Sequence, residues 1–127
     1  MNNNKEQLEQ LFPEPERPSI LSVDTSEEQA QIALRVPENL SWFEGHFPEQ
    51  AVLPGVVQID WAGKFGRVLL AGNGAFRQLT NIKFKTMVMP GTTLTLELVY
   101  NAEKGVLRFH YFNNSDSFSL GSFKFIA

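Results

Sequence analysis

Alternating hydrophobic and polar positions divide most of the chain into short predicted strands. Residues 19–24 and 29–36 alternate and predict a hairpin that turns through Asp24-Thr25-Ser26-Glu27. Beyond residue 80 the same period of two predicts four further strands, over residues 82–89, 92–100, 106–112 and 118–126. The turns between these four strands are predicted at Pro90-Gly91, residues 101–105 and residues 113–117.

One long helix is predicted between the two groups of strands. It begins at Pro54, and apolar residues wrap most of its circumference as far as Leu70, which is typical of a buried helix. Gly63 and Gly66 lower its helix propensity and are expected where another backbone passes close by. The segment ends in a turn at Asn73-Gly74. An antiparallel sheet needs cover for its apolar face, which this helix can supply, so we predict an α+β fold.

The first 18 residues form a polar lead-in, in which three prolines predict a short helical turn followed by an extended arm. Residues 19–127 are expected to form a single domain, since a chain of 127 residues suffices for one core. The absence of cysteine excludes thiolate catalysis, disulfides and cysteine-bound zinc. No run of about 18 apolar residues is present, so we expect no membrane association and a cytoplasmic location.

Charge is distributed unevenly along the chain, whose formal net charge is −3. Residues 61–89 carry five basic side chains and no acidic one, whereas residues 1–60 carry three basic and eleven acidic ones. A nucleic-acid-binding domain is usually basic overall, and the sequence pI of about 5.3 argues against that function. The basic segment suits a small acidic partner or an anionic ligand, and an ordinary solvated face is the alternative.

Three chemically distinctive groups lie within fifteen residues around the predicted start of the helix. His46 is in a loop, where apolar neighbours favour its neutral form, a usable base near neutral pH. The N–H of Gly55 is an unpaired donor at the positive end of the helix dipole, open to a carbonyl oxygen. Asp60 lies between Ile59 and Trp61, where burial is expected to outweigh the dipole and favour the protonated acid. From the residues alone, a structural histidine and a buried aspartate are equally good interpretations.

Other motifs carry little chemistry. His110 alternates within a predicted strand and is interpreted as a sheet residue. A metal site formed by His46, His110, Glu44 and Asp60 would have no known ligand spacing, and no metal is predicted.

The region around the helix start resembles the β-hydroxyacyl-acyl carrier protein dehydratases of the hotdog fold. The resemblance rests on Gly45-His46-Phe47-Pro48, on Leu53-Pro54-Gly55-Val56, and on Asp60, fourteen residues after the histidine. It continues through Phe84-Lys85 and Val88-Met89-Pro90-Gly91, and it covers the chain from about residue 18 to the C-terminus. The segment from Leu53 to Ala62 is most similar to the small dehydratases of bacterial aryl-polyene clusters.

This resemblance implies that an antiparallel sheet wraps around one long central helix and that two subunits join their sheets in a dimer. The active site then lies between subunits, where the loop histidine of one chain faces the helix acid of the other. His46 is expected to remove the α-proton of a (3R)-3-hydroxyacyl thioester, and Asp60 to help the 3-hydroxyl leave as water. The Gly55 N–H is expected to polarise the thioester carbonyl, and the product is a trans-2-enoyl thioester.

The resemblance also implies the partners of the protein. No metal or redox cofactor is expected, since the phosphopantetheine arm arrives on the acyl carrier protein, and the chain should form a homodimer or a higher even oligomer. The residues predicted to line the substrate pocket are Phe47, Pro54, Val56, Trp61 and Lys64. Acyl carrier proteins are acidic, which gives the basic segment a purpose. The residues predicted to meet the carrier are Lys64, Arg67, Lys83 and Lys85.

Departures from the family pattern leave alternatives open. The family often has glutamine four residues after the acid, where this chain has Lys64. Glu49 and Ala51 stand where a glycine and a proline are common, so a looser loop is expected. A hotdog thioesterase is the main alternative function. The other is an inactive subunit that binds the carrier and pairs with a different hotdog chain.

Overall fold

The computed structural model describes residues 3–40, 52–72 and 74–126. Its helices are α1 (Asn3–Glu9), a short 3-10 turn (Glu14–Glu16) and α2 (Gly55–Gly66), which continues as a π-helical turn (Arg67–Ala71). Its strands are β1 (Ser19–Thr25), β2 (Gln29–Arg35), β3 (Ala75–Phe84), β4 (Thr93–Asn101), β5 (Val106–Phe112) and β6 (Ser117–Ile126). The predicted first hairpin, the long helix and the last three strands are therefore confirmed.

The strands of the described residues form one antiparallel sheet in the order β1-β2-β4-β5-β6-β3. Hairpins connect β1 with β2, β4 with β5, and β5 with β6. Strand β3 follows α2 and pairs with β6, so β3 and β1 are the two edges of the sheet. The predicted α+β architecture, with one sheet covered by one long helix, is confirmed.

Helix α2 shares a single apolar core with the sheet. Trp61, Ala62 and Phe65 are buried on the helix, and their apolar partners include the buried leucines of β4 and β5. The helical glycines allow close approach, but to side chains rather than to the expected backbone. A Cβ at Gly63 would lie 3.2 Å from the Phe123 ring, and one at Gly66 would collide with the side chain of Leu107. These contacts bring the sheet close to the helix.

Strand β3 differs from the predicted strand over residues 82–89. It begins seven residues earlier and ends at Phe84, and residues 85–92 are irregular. The pairing with β6 shifts register between Phe76 and Gln78 and again between Thr80 and Lys83, where Asn81 has a φ of 56°. Each extra residue reverses which face the following side chains point to. The apolar residues of β3 therefore do not keep a period of two.

The N-terminal arm packs into the core. The Phe12 ring is buried, with its centroid 6.2 Å from that of Trp61 and 5.4 Å from that of Phe65, in edge-to-face geometry. The Trp61 indole N–H donates to the Glu16 carbonyl oxygen at 3.3 Å. The predicted short helix followed by an extended segment is present, and it covers the side of α2 that carries Trp61. In the described ranges, no helix has the length and apolar character needed to cross a bilayer.

Candidate active site

The described residues include the predicted acid and oxyanion donor but not the predicted base. His46 and the pocket candidate Phe47 lie in the segment 41–51, outside the described residues. Gly55 and Asp60 are both in α2, five residues apart, which corresponds to about 7.5 Å along the helix axis. One helix thus positions both groups.

Helix α2 begins at Gly55 without a side-chain cap. The Pro54 carbonyl oxygen accepts hydrogen bonds from the N–H groups of Val57 at 3.0 Å and Gln58 at 3.2 Å. Among the described residues, no hydrogen-bond acceptor is found for the Gly55 N–H itself. A Cβ at this position would collide with the Phe84 ring, so glycine is the residue that fits here. Within residues 3–40, 52–72 and 74–126 the Gly55 N–H is thus left without an acceptor, and its role as an oxyanion donor stays a prediction.

The Gly55 donor borders a cavity of about 300 Å³, which we call the helix-start cavity. Pro54 lines it on the helix side, while Phe84, Lys85 and Met87 line it from the end of β3 and the segment that follows. The Phe84 ring is 53% exposed and Met87 is 60% exposed in the single chain. An acyl carbonyl oxygen could therefore reach the donor from this open, largely apolar side.

Asp60 is not buried in the single chain, contrary to the prediction. Its side chain is 52% exposed, and Oδ2 lies 3.3 Å from Nζ of Lys64, one turn later in α2. Val56, four residues earlier in α2, is 73% exposed, so Val56 and Asp60 share the side of the helix that faces away from the core. Lys64 Nζ also lies 5.2 Å from the centroid of the Phe12 ring. The lysine thus contacts the acid directly, at the position where the resembling family often has glutamine.

A second cavity, of about 510 Å³, follows the exposed side of α2 beside β3 and β6, and we call it the apolar groove. Its walls are mainly aromatic and aliphatic, and they include Val56, Ile59, Phe76, Phe123 and Phe125. Its charged residues are Asp60, Lys64 and Arg67. A groove with this lining suits an acyl chain, with polar recognition confined to the helix side chains.

The predicted pocket residues are only partly brought together. Val56 and Lys64 line the apolar groove, and Pro54 lines the helix-start cavity. Trp61 lines neither cavity, because it is buried on the other side of α2 against Phe12. Neither cavity therefore supports its assignment to the substrate pocket.

Of the four residues predicted to meet the carrier, two have partners within the chain. Lys64 pairs with Asp60, as described above. The Arg67 guanidinium donates to the Gly74 carbonyl oxygen at 2.7 Å and lies 4.8 Å from the Phe125 ring centroid. Lys83 and Lys85 are exposed, and within the described ranges neither forms an ion pair.

A buried polar network beneath the helix start was missed at the sequence level. The Gln58 side chain is buried, its Oε1 accepts from Ser119 Oγ at 2.6 Å, and its Nε2 donates to the Leu53 carbonyl oxygen at 3.1 Å. The Tyr111 hydroxyl donates to the main-chain oxygen of Gln58 at 2.6 Å. Burial raises the pKa of Tyr111 well above its usual range, and the charge of Asp60 raises it further. The sequence did contain a signal for this network, because Gln58 stands between Val57 and Ile59 in a helix predicted to be buried.

A further cavity of the described residues contains none of the predicted site residues. A cavity of about 740 Å³ lies on the face of the sheet turned away from α2, where Tyr100, Lys104 and Arg108 line it. His110 lies in β5 with Nε2 2.8 Å from Ser117 Oγ, which agrees with its interpretation as a sheet residue. In the part of the chain that the structure describes, no three potential ligands cluster closely enough to hold a metal ion.

Residues 22–122 match the protein-family model described as ApeI-like: ApeI dehydratase. The 3-hydroxyacyl-[acyl-carrier-protein] dehydratase FabZ of Staphylococcus aureus (strain JH9) is 34% identical over an alignment of 110 positions that covers 78% of this chain and 75% of that protein. The structure titled "The Dehydratase Heterocomplex ApeI:P from Xenorhabdus doucetiae" has a TM-score of 0.82 at 34% identity, covering 87% of this chain and 99% of that chain. Thioesterase superfamily member 2 from Mus musculus has a TM-score of 0.64 at 14% identity, covering 85% and 88%, and shares the fold alone.

These similarities confirm the hotdog fold and the resemblance drawn from the sequence. The matched region contains the helix start, Asp60 and the groove residues of α2 and β3, whereas Phe123 and Phe125 of β6 lie just beyond it. The chain belongs to the ApeI-like dehydratase family.

Proposed function

We propose that the protein dehydrates (3R)-3-hydroxyacyl thioesters of an acyl carrier protein to trans-2-enoyl thioesters, in fatty-acid or aryl-polyene synthesis. The observation that carries the proposal is that one helix presents both the Gly55 N–H, which has no acceptor among the described residues, and the exposed Asp60 carboxylate, which borders the apolar groove. The names of the S. aureus and X. doucetiae relatives, both dehydratases, support the same reaction.

In this proposal the acyl chain occupies the apolar groove, and the thioester carbonyl oxygen accepts a hydrogen bond from the Gly55 N–H. His46 removes the α-proton, and the fixed donor stabilises the negative charge that develops on the carbonyl oxygen. The C3–O bond breaks as the C2–C3 double bond forms. The departing hydroxyl takes a proton from the acid form of Asp60 and leaves as water. The α-proton held by His46 then passes to solvent, from which Asp60 is protonated again, so no net proton is gained or lost. These steps call on no resident metal or redox cofactor, since the phosphopantetheine arm enters with the carrier.

We further propose a homodimer in which the sheets join through β3, so that His46 of one chain meets Asp60 of the other. Strand β3 is an edge strand of ten residues, and its Phe76, Leu79 and Phe84 side chains are exposed in the single chain. Long apolar edge strands are normally covered, because their unpaired backbone groups and side chains promote association. The X. doucetiae relative is named as a heterocomplex, which makes a chain of different sequence the alternative partner.

Hydration of a crotonyl thioester, the reverse reaction, tests the proposed function. We expect wild type to consume the enoyl absorbance, and His46→Ala and Asp60→Asn to lose activity by about 100-fold or more, because each removes a proton-transfer group. His110→Ala is the matched control, since it removes the only other histidine of the chain, and it should keep wild-type activity. Circular dichroism of each variant reports whether the fold is retained.

Measuring thiol release distinguishes a dehydratase from a thioesterase. A dehydratase hydrates crotonyl thioester without releasing thiol from either crotonyl or acetyl thioester. Release of thiol at a rate that depends on Asp60 would replace the proposal with a thioesterase. If wild type neither hydrates crotonyl thioester nor releases thiol, the remaining alternative is an inactive subunit that binds the carrier and pairs with a different hotdog chain.

We also propose that Lys83 and Lys85 contact the acidic carrier. Both are exposed in the basic segment, and Lys85 lines the helix-start cavity beside the Gly55 donor. Lys64 and Arg67 already contact partners within the chain, so we consider them less available to bind the carrier than Lys83 and Lys85. A carrier seated at Lys85 would deliver its thioester next to Gly55.

Charge reversal tests this contact. We expect Lys83→Glu/Lys85→Glu to raise the KM for carrier-bound enoyl substrate about tenfold at low salt and to weaken its salt dependence, because electrostatic attraction to the carrier is lost. The KM for the same acyl group on free pantetheine should stay unchanged. Lys5→Glu/Lys104→Glu is the matched control outside the basic segment. An equal KM for the carrier substrate in both double variants would contradict the contact.

A further inference from the structure

We propose that Gln58 is a positioning residue that fixes the orientation of the Gly55 N–H. Gln58 borders the helix-start cavity, but its side chain is only 4% exposed and both ends of its amide are hydrogen-bonded within the protein, so we assign it no direct contact with the reacting atoms. A buried amide is costly unless both of its ends are hydrogen-bonded, and an apolar side chain would fill the same space more cheaply. Both ends of Gln58 are satisfied, by Leu53 and Ser119.

The contacts of Gln58 restrain the backbone immediately before Gly55. Its Nε2 holds the Leu53 carbonyl oxygen at 3.1 Å, while the Leu53 N–H donates to the Val88 carbonyl oxygen at 2.8 Å. Leu53 is therefore held on both its donor and its acceptor side. Between the Leu53 carbonyl and the Gly55 N–H lie only the two torsions of Pro54, with φ of −59° set by its ring and ψ of 146°. Fixing the Leu53 carbonyl thus leaves one free torsion before the donor.

The remaining torsion is restrained from the helix side. The Pro54 carbonyl oxygen, which lies in the same peptide plane as the Gly55 N–H, accepts from the N–H groups of Val57 and Gln58. The main chain of Gln58 is in turn tied to β5 through the Tyr111 hydroxyl, and its side chain to β6 through Ser119 Oγ. The donor is therefore connected to two central strands by hydrogen bonds that all pass through Gln58. An oxyanion donor is effective when it is aimed before the charge develops, which is what this network provides.

The kinetic consequence rests on the proposed function. In Gln58→Met the amide is removed, while the side-chain length and the main-chain contact to Tyr111 are kept. We expect kcat for crotonyl-thioester hydration to fall about 10- to 100-fold with KM changed less than about twofold, because a misaimed donor weakens transition-state binding most. Ser119→Ala should give a smaller fall. The double variant should fall no further than Gln58→Met, because both changes break one network.

A stability control and a direct readout of the donor complete the experiment. Ile32→Val removes one methylene group from the buried core in β2, away from this network, and should keep wild-type kcat. The ¹⁵N order parameter of the Gly55 N–H should be near about 0.85 in wild type and fall clearly in Gln58→Met but not in Ile32→Val. An unchanged order parameter, or a kcat loss matching that of Ile32→Val, would overturn the positioning role. Inactivity of wild type would instead overturn the proposed function, and the order parameters would still decide the role of Gln58.

Discussion

Tyr111 is a buried hydroxyl that links the stability of the protein to pH. Burial raises its pKa well above the usual range, and the charge of Asp60 raises it further. As the pH rises, the tyrosine of the unfolded chain therefore ionises before that of the folded chain. The stabilisation is complete below the unfolded pKa of about 10 and is lost progressively above it.

Tyr111→Phe tests this linkage. We expect the wild-type free energy of unfolding in urea to fall as the pH rises from about 10, and the variant to show a weaker fall, because its ring cannot ionise. At pH values near 8 the variant should be less stable by about 1 kcal/mol, since the hydrogen bond to the Gln58 carbonyl oxygen is lost. Tyr100→Phe removes the other, less buried tyrosine and should keep the wild-type pH profile. Parallel profiles for wild type and Tyr111→Phe would contradict the linkage.

For single residues, the sequence predicted the chemical groups near the helix start better than it predicted their burial and their contacts. The start of α2 at Gly55, directly after Pro54, was predictable because a proline followed by a glycine marks it in the local sequence. The exposure of Asp60 depends on which side of α2 the sheet covers, and no local pattern gives that. Gln58 was missed because its partner Ser119 lies 61 residues further along the chain. Contacts of such separation are set by the strand order.

The helices and strands whose hydrophobic residues recur at a regular spacing were predicted correctly, whereas strand β3, which lacks such a spacing, was not. Helix α2 and the hairpins of β1–β2 and β4–β6 bury one side against a common core, which imposes the period. Strand β3 has two register shifts and lies at a sheet edge, so its residues Phe76 and Leu79 do not alternate with polar ones. The same irregularity leaves β3 with apolar side chains that a single chain does not cover.

The N-terminal arm shows a different limit of sequence patterns. Its prolines indicate an extended path after a short helix, which the structure has. They do not indicate where that path leads, because Phe12 is a single apolar residue rather than part of a period. The arm lies on α2 through the contacts of Phe12 with Trp61 and Phe65. Phe12 therefore belongs to the same core as α2 and the sheet.

For the whole molecule, the two sheet edges are expected to differ in how they associate. We expect wild type to sediment as a dimer of the 14.4 kDa chain and Leu79→Lys in β3 to sediment as a monomer, because a charge there opposes burial of the edge. Leu21→Lys makes the same change at an exposed apolar residue of β1, the opposite edge, and should remain a dimer. Analytical ultracentrifugation of the three proteins gives the comparison.

Activity of the same variants adds a second readout. If the site is shared between subunits, hydration activity should fall with the dimer fraction in Leu79→Lys and stay at the wild-type level in Leu21→Lys. A fully active monomer would contradict a shared site. Dissociation of Leu21→Lys instead of Leu79→Lys would place the interface at β1.

The ammonium group of Lys64 lies between the Asp60 carboxylate and the ring of Phe12, so the acid is linked to the N-terminal arm through a single side chain. A change in the first twelve residues that moves or removes Phe12 would therefore shift the Lys64 ammonium group. The electrostatic environment of Asp60 would then change although no residue of α2 had been altered. Homologues that share the α2 motif but carry different leader segments can thus diverge in reactivity, and comparing their active-site residues alone would miss the cause.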